Sequence, residues 1–171
     1  MLCKKSISVK NNQHMIEIHI QSGSTALIEP ATWRDLNSVR HLEKVCFPRD
    51  AWPLWDLVGV LTFSNVVRYK ASVDGQMVGF IAGDQPSNDG VAWIATVAVL
   101  PEYRRQGIGE ALIEVCEAQL NSLRIRLSVR MSNAAAIHLY FRLGYQRVGK
   151  WPSYYADQED ALVMEKIKTV S

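Results

Sequence analysis

The run Pro101-Glu102-Tyr103-Arg104-Arg105-Gln106-Gly107-Ile108-Gly109-Glu110 sets two arginines and two glycines directly before an apolar-periodic stretch. A helix that starts there exposes unpaired N–H groups and about half a positive charge at its N-terminus, which attracts anions. Glycine lets a ligand come close to the backbone, and the arginines add charge-assisted donors. The chemistry such a segment suits is phosphate binding. Two other phosphate motifs do not fit these residues. The Walker type needs Gly-Lys-Ser/Thr, and the dinucleotide fingerprint needs a third glycine where Leu112 stands. Taken alone, the segment reads equally well as a solvated basic turn.

Other candidate groups are single residues. Tyr140 carries a phenol but shares a helical stripe with Ile137 and Phe141, which by itself suggests a core aromatic. Asn133 reads as a helix cap. Cys3, Cys46 and Cys116 are too far apart for a C-x-x-C motif, and three cysteines do not make a disulfide framework. Cys116 sits among Ile108, Leu112, Val115 and Leu120 at helical spacing and is expected in the core. No metal site is expected.

The elements that must position these groups follow from periodicity. Residues 1–25 read as a polar extension in which Ile16, Ile18 and Ile20 alternate and could add a strand; residues 26–168 read as one domain. Ala26 to Pro30 is a short strand. Thr32 and Asp35 form a capping-box-like start to a helix bearing Leu36, Val39, Leu42 and Val45, which Cys46-Phe47-Pro48 ends. A second helix follows Pro53. Val67, Tyr69, Ala71 and Val73 alternate before Asp74-Gly75, a hairpin turn pair, and the return arm runs from Met77 to about Gly83. The near-continuous apolar run from Val91 to Leu100 predicts a central strand buried on both faces. A helix is expected from about Gly107 to Gln119, a strand through Ile125, Leu127 and Val129, and a helix from Asn133 to the Gly144 stop. Two strands, near Tyr145 to Lys150 and Ala161 to Ile167, close the chain.

With 171 residues, 48% of them apolar, the chain can bury a single core. Lys plus Arg number 19 against 17 Asp plus Glu, so no global field recruits nucleic acid or a membrane surface. The opening MLCKKSISVKNNQH lacks the apolar segment of a secretory signal, and no stretch is long and apolar enough to span a bilayer. A cytoplasmic location is expected.

Arg104 to Gly109 resembles the Q/R-x-x-G-x-G/A pyrophosphate motif of the GNAT acetyltransferase superfamily and follows the appropriate strand. Asn133 to Tyr145 resembles that family's N-x-x-A-x-x-L-Y-x-x-x-G-F/Y segment, and the element order matches from Ala26 onward. The resemblance implies an α/β (α+β) fold with a mixed sheet of about seven strands and four helices, splayed at the fourth strand. It also implies acetyl-CoA as donor and direct attack by an amine in a ternary complex. Val129-Arg130-x-Ser132-Asn133, Tyr154-Tyr155 and Glu159 to Met164 look like bacterial ribosomal-protein alanine N-acetyltransferases and related N-terminal protein acetyltransferases.

By that resemblance, Val97, Ala98, Val99, Arg104, Arg105, Gln106, Gly107, Ile108, Gly109, Glu110, Asn133 and Tyr140 hold the cofactor. The Val97 N–H serves as the oxyanion donor and Tyr140 as the acid for the leaving thiolate. Ser128 stands where relatives often carry Glu or His as base, and Trp93 where some carry Tyr; neither titrates usefully, so the base stays unassigned. His138 faces away from Tyr140. Phe47, Trp52 and Trp55 on one side, with Tyr154 and Tyr155 on the other, could wall a peptide groove. An α-amine titrates near about 8 and lysine near about 10.4, so a site without a strong base favours a protein N-terminus, including that of a ribosomal protein. A small amine such as an aminoglycoside or polyamine, and a catalytically weak acyl-CoA-binding module, are the alternatives.

Overall fold

A computed structural model describes residues 15–20, 23–86 and 88–169; Cys3 and the basic opening stretch lie outside them. β1 (Ile16–His19) and β2 (Thr25–Pro30) precede α1 (Leu36–Cys46) and α2 (Leu54–Thr62). Then come β3 (Val66–Val73), β4 (Gln76–Asp84), β5 (Val91–Val99), α3 (Ile108–Gln119), β6 (Arg124–Arg130), α4 (Ala134–Arg142), β7 (Gln146–Trp151) and β8 (Ala161–Ile167). One sheet runs in the order β1-β2-β3-β4-β5-β6-β8-β7. All neighbours are antiparallel except β5 and β6, which are joined through α3 and run parallel.

Eight described strands replace the expected seven, because the alternating isoleucines near the start form β1 and pair with β2. That added strand also moves the splay from the fourth strand to β5. Local signals act where the residues placed them. Asp35 Oδ2 accepts from the Thr32 amide at 2.7 Å, completing a capping box ahead of α1. Asp74 and Gly75 turn the β3–β4 hairpin with φ of 50° and 80°, the left-handed pair that a two-residue hairpin requires. Asn133 caps α4, its Oδ1 accepting from the Ala136 amide at 3.2 Å.

The helices cover opposite faces. A Cβ built on Gly79 would meet Leu112 and Ile108 of α3, and one on Gly83 would meet Cys116 and Leu120 of the same helical segment. On the other face, Thr96 of β5 reaches Glu43 of α1. The core fills both layers, with Phe80, Ile81, Leu112, Ile113, Leu42 and Leu57 almost fully enclosed. Cys116 is fully buried, and burial pushes its thiol up to about 12.

Two apolar expectations are corrected. β5 is not buried on both faces: Trp93, Ala95, Val97 and Val99 are only half covered, because the strand parts from β6 midway. Phe141 is 43% exposed rather than core, and the Arg147 guanidinium lies over its ring at 5.4 Å.

The α3 approach gives a direct test of the packing. A methyl at position 83 would sit 2.9 Å from Cys116 Sγ, closer than real contacts allow, and a tight 3.2 Å from the Trp93 carbonyl oxygen. Gly83→Ala is expected to destabilise the fold by about 1–3 kcal/mol in thermal or chemical denaturation.

Candidate active site

A one-residue bulge organises the site. Ala82 pairs with Thr96 but Gly83 pairs with Ile94, so Ala95 is extra on β5. Side chains alternate along a strand, and a bulge breaks that alternation. Trp93, opposite Asp84, and Thr96, opposite Ala82, therefore point to the same face, the α1 face. Val97 and Val99 turn to the α3 face, where Val99 Cγ2 lies 3.7 Å from a Cβ built on Gly109.

The same region of β5 loses its neighbour. β5 pairs with β6 only from Val91↔Arg124 to Ile94↔Leu127, while β6 continues along β8 to Arg130↔Ala161. A gap opens beyond Ile94. The Leu100 amide donates to Val78 O at 2.9 Å, so backbone alternation turns the N–H and C=O of Val97 and Val99 away from β4 and into the gap. Val99 O there accepts from Arg104 Nε at 3.0 Å and Cys46 Sγ at 3.3 Å. Backbone donors and acceptors thus line a cleft without using side-chain identity, with Ala98 buried beneath them against α1.

The basic glycine segment closes one end of the cleft. Arg105 and Gly107 adopt left-handed φ of 60° and 87°, which tightens the turn into α3. The Ala111 amide is the first to find a partner inside α3, at Gly107 O, leaving the N–H groups from Gly107 to Glu110 directed out of the helix end. A Cβ built on Gly109 would only touch Leu139 and Val99 at 3.7 Å, and Arg105 is exposed, whereas Ile108 is in the core and offers only backbone. Gln106 Nε2 ties back to Glu102 O at 3.0 Å, and its buried Oε1 has no protein partner. Glu110 pairs with Arg142 of α4 at 3.2 Å. Two diphosphate charges fit this end: donors converge, and no acidic side chain but Glu110, already paired, intervenes in the segment beyond Glu102.

Tyr140 projects from α4 and is 8% exposed. Its ring meets that of Tyr145 edge-on at 5.8 Å. Burial, with a smaller contribution from Tyr155, pushes the Tyr140 phenol up to about 12, so it stays protonated throughout the neutral range. Behind it, the Tyr145 hydroxyl donates to Glu117 Oε1 at 2.8 Å and Lys166 Nζ contacts Glu117 Oε2 at 2.6 Å, a buried charged network that anchors α4 to α3 and β8.

The α1 face of the cleft carries an aromatic wall. Trp93 stacks on Trp151 at 5.5 Å, Trp151 tilts against Tyr154 at 5.1 Å, and Tyr154 meets Tyr155 edge-on at 5.1 Å. Facing it is the connection between α1 and α2, with Phe47 and Trp52 half-buried against the core; Trp55, 80% exposed, takes no part in the packing. Arg130 at the end of β6 locks the two sides together. It makes a bidentate pair with Asp50 (2.8 and 2.8 Å), and its Nη1 reaches Asp157 at 3.0 Å and Glu159 at 2.6 Å. The guanidinium also covers the Tyr155 ring at 3.9 Å, and Glu159 accepts from the Ser132 amide at 2.7 Å.

The structure therefore brings Val97, Val99, the 104–110 turn, Tyr140, Ser128, Trp93, Tyr154 and Tyr155 around one cleft, Ser128 sharing the sheet face of Arg130. Asn133 spends its side chain on the α4 cap, and His138 is exposed, as expected. Sequence reasoning missed Arg130 as the clamp, although it quoted the run containing it. Its partners lie 80, 27 and 29 positions away and carry no local signal. Also missed was Glu43, whose carboxylate accepts from Thr96 Oγ1 at 2.9 Å. A charged residue in line with Leu36, Val39 and Cys46 was the available sign. Among the described residues no helix is long and apolar enough to cross a membrane, and no group of three or more His, Cys, Asp or Glu is placed to hold a metal.

Replacing Arg130 by Met should release Asp50, Asp157 and Glu159 together. The expected result is faster amide exchange across residues 47–53 and 152–160, with a stability loss of about 1–3 kcal/mol.

Comparison with known proteins agrees with this geometry. The Acetyltransferase (GNAT) family model matches residues 36–145. An N-acetyltransferase of Methanocaldococcus jannaschii, described as uncharacterized, is 34% identical over 83% of this chain and 92% of its own. An N-alpha-acetyltransferase of Sulfurisphaera tokodaii is 30% identical over 84% and 94%. The crystal structure of the ribosomal-protein-S18-alanine N-acetyltransferase from Escherichia coli superposes with a TM-score of 0.76 at 29% identity, covering 85% of this chain and 96% of that one. The cleft between β5 and β6, closed by the basic turn into α3, thus belongs to a member of the GNAT acetyltransferase family, an acetyl-CoA-dependent N-acetyltransferase.

Proposed function

We propose that this enzyme acetylates the N-terminal α-amine of proteins in the cytoplasm, by direct attack on acetyl-CoA in a ternary complex. The observation that carries this reading is the groove on the α1 face, walled by Trp93, Trp151, Tyr154 and Tyr155 and held against the α1–α2 connection by Arg130. An extended peptide end can lie along such a wall, its amine at the β5 gap. A polycationic small molecule would need free carboxylates, and Asp50, Asp157 and Glu159 are all engaged by Arg130. Relatives named as N-alpha-acetyltransferases support the acceptor class. The E. coli neighbour, named for the alanine of ribosomal protein S18, makes a peptide beginning with alanine the first acceptor to try.

In this mechanism the N–H groups of Gly107 to Glu110, with Arg105 and Gln106, receive the diphosphate of acetyl-CoA, and the Val97 to Val99 backbone receives the pantetheine chain. The Val97 N–H donates to the thioester oxygen; a backbone donor aimed at a developing oxyanion contributes about 2.7–4 kcal/mol and needs no reorganisation. The amine nitrogen attacks the carbonyl carbon, the C–S bond breaks, and Tyr140 donates its proton to the departing sulfur. With its phenol pushed up to about 12, Tyr140 is a hydrogen-bond donor throughout the neutral range, and transfer completes only as thiolate charge develops.

Two measurements test this. A peptide with a free alanine N-terminus should be acetylated, and its N-blocked, lysine-containing twin should react at least tenfold more slowly, since about 0.1% of lysine side chains are neutral at cytosolic pH. Tyr140→Phe should lower kcat by roughly 10- to 1,000-fold with acetyl-CoA affinity unchanged. Faster lysine acetylation would sink the acceptor assignment, and normal turnover by the Phe variant would remove Tyr140 from the chemistry.

A further inference from the structure

We infer that Glu43 is the proton acceptor for the incoming amine, working through the Thr96 hydroxyl; this rests on the N-terminal acetyltransferase reading of the same cleft. Ser128, at the position where a base was sought, carries no group that takes a proton near neutral pH. Glu43 is a buried carboxylate on α1, 1% exposed, outside every structural ion pair described above. Its Oε1 accepts from Thr96 Oγ1 at 2.9 Å, while its buried Oε2 accepts no hydrogen bond from the described residues. An incompletely partnered buried acceptor is costly, and none of the described ion pairs offsets that cost at Glu43.

The bulge at Ala95 is what aims this pair. In an unbroken strand Thr96 would face α3, away from Trp93; the extra residue turns it to the acceptor face, beside the aromatic wall. Thr96 is also the residue before Val97, so its hydroxyl stands next to the N–H assigned to the thioester oxygen. The groups around Glu43 leave it able to take a proton. β5 contributes the neutral Thr96 hydroxyl and the α1–α2 connection contributes the Trp52 amide. On its own helix, Cys46 is the titratable neighbour that senses its charge, and Cys46 in turn senses the Arg104 guanidinium. Desolvation is the largest influence and raises the Glu43 carboxyl from its ordinary value, against the opposing hydrogen bonds from Thr96 and Trp52, the direction that favours taking a proton.

The protons balance. One leaves the peptide ammonium for Thr96 Oγ1 as the Thr96 proton passes to Glu43 Oε1, which frees the nitrogen lone pair for attack. The C–N bond forms and the C–S bond breaks, the sulfur taking the proton of Tyr140. Tyr140 recovers a proton as the second one is shed from nitrogen, and Glu43 returns its proton to solvent after product leaves. Net, ammonium and thioester give amide, thiol and one proton.

Glu43→Gln keeps size and an acceptor for Thr96 but cannot take the proton. With the alanine peptide as probe, kcat at neutral pH should fall roughly 100-fold or more while acetyl-CoA affinity and melting temperature stay at wild-type values. The pH profile is the decisive readout. Wild-type kcat should level off above the Glu43 ionisation, whereas the Gln variant should climb tenfold per pH unit toward the amine pKa near about 8. A kcat within threefold of wild type overturns the proposal, and so does a lowered kcat with the wild-type pH profile. If Glu43→Gln does not fold, the Thr96 pair decides: Thr96→Val should lose turnover and Thr96→Ser should retain it, and equal rates in the two overturn the relay. Failure of the wild-type enzyme to acetylate any free N-terminus would sink the underlying reading as well, whereas peptide turnover insensitive to Glu43 sinks this inference alone.

Discussion

One extra residue in β5 sets most of this protein's functional geometry. Antiparallel pairing with β4 holds the strand on one side, and parallel pairing with β6 holds it on the other only as far as Ile94. Ala95 adds local twist, and twist accumulated on one strand of a parallel pair separates their ends. The separation leaves the N–H and C=O groups of Val97 and Val99 facing a cleft. Exposed backbone edges usually invite pairing with another chain. Here the Val99 carbonyl is taken by Arg104 and Cys46 instead.

The cleft has chemically distinct ends because the two sheet faces are covered differently. On the α3 face, glycines at 79, 83 and 109 let helix and sheet approach closely, and the helix end projects its N–H groups toward the gap. That side suits the diphosphate of acetyl-CoA. On the α1 face, packing leaves large aromatics partly uncovered, and Arg130 spends its donors on three carboxylates from two loops. Single exposed ion pairs contribute little to stability, but a shared guanidinium with bidentate geometry restricts several loops at once. The aromatic groove is thus preorganised by charge, although its lining is apolar.

Buried titratable groups also divide by face. Glu117 is neutralised by Lys166 and by the Tyr145 hydroxyl, which makes it a fixed strut behind Tyr140. Glu43 has the Thr96 hydroxyl as partner and takes part in none of the described ion pairs, so burial outweighs the hydrogen bonds from Thr96 and Trp52 and raises its pKa. Identical side chains at similar depth therefore carry different chemistry, and the difference lies in whether a cation reaches them. The two buried phenols differ too, since the Tyr145 hydroxyl donates to the Glu117 carboxylate while Tyr140 meets Tyr145 only through its ring edge.

The sequence by itself determined the parts written in short-range pattern. Periodicity and turn chemistry located every helix and most strands to within a residue or two: the Thr32-Asp35 box, the Asp74-Gly75 turn, the Asn133 cap and the Gly144 stop all act over four residues or fewer. The basic glycine turn that opens α3 was legible for the same reason. Tertiary structure alone decided the bulge at Ala95, because a run of small and β-branched apolar residues contains nothing to mark which one is extra. It alone decided the Arg130 clamp, whose partners are up to 80 positions distant, and the pairing of Glu43 with Thr96 across 53 positions. Such contacts depend on how strands register and helices dock, and the energies that fix register are summed over the whole sheet instead of residing in any one segment.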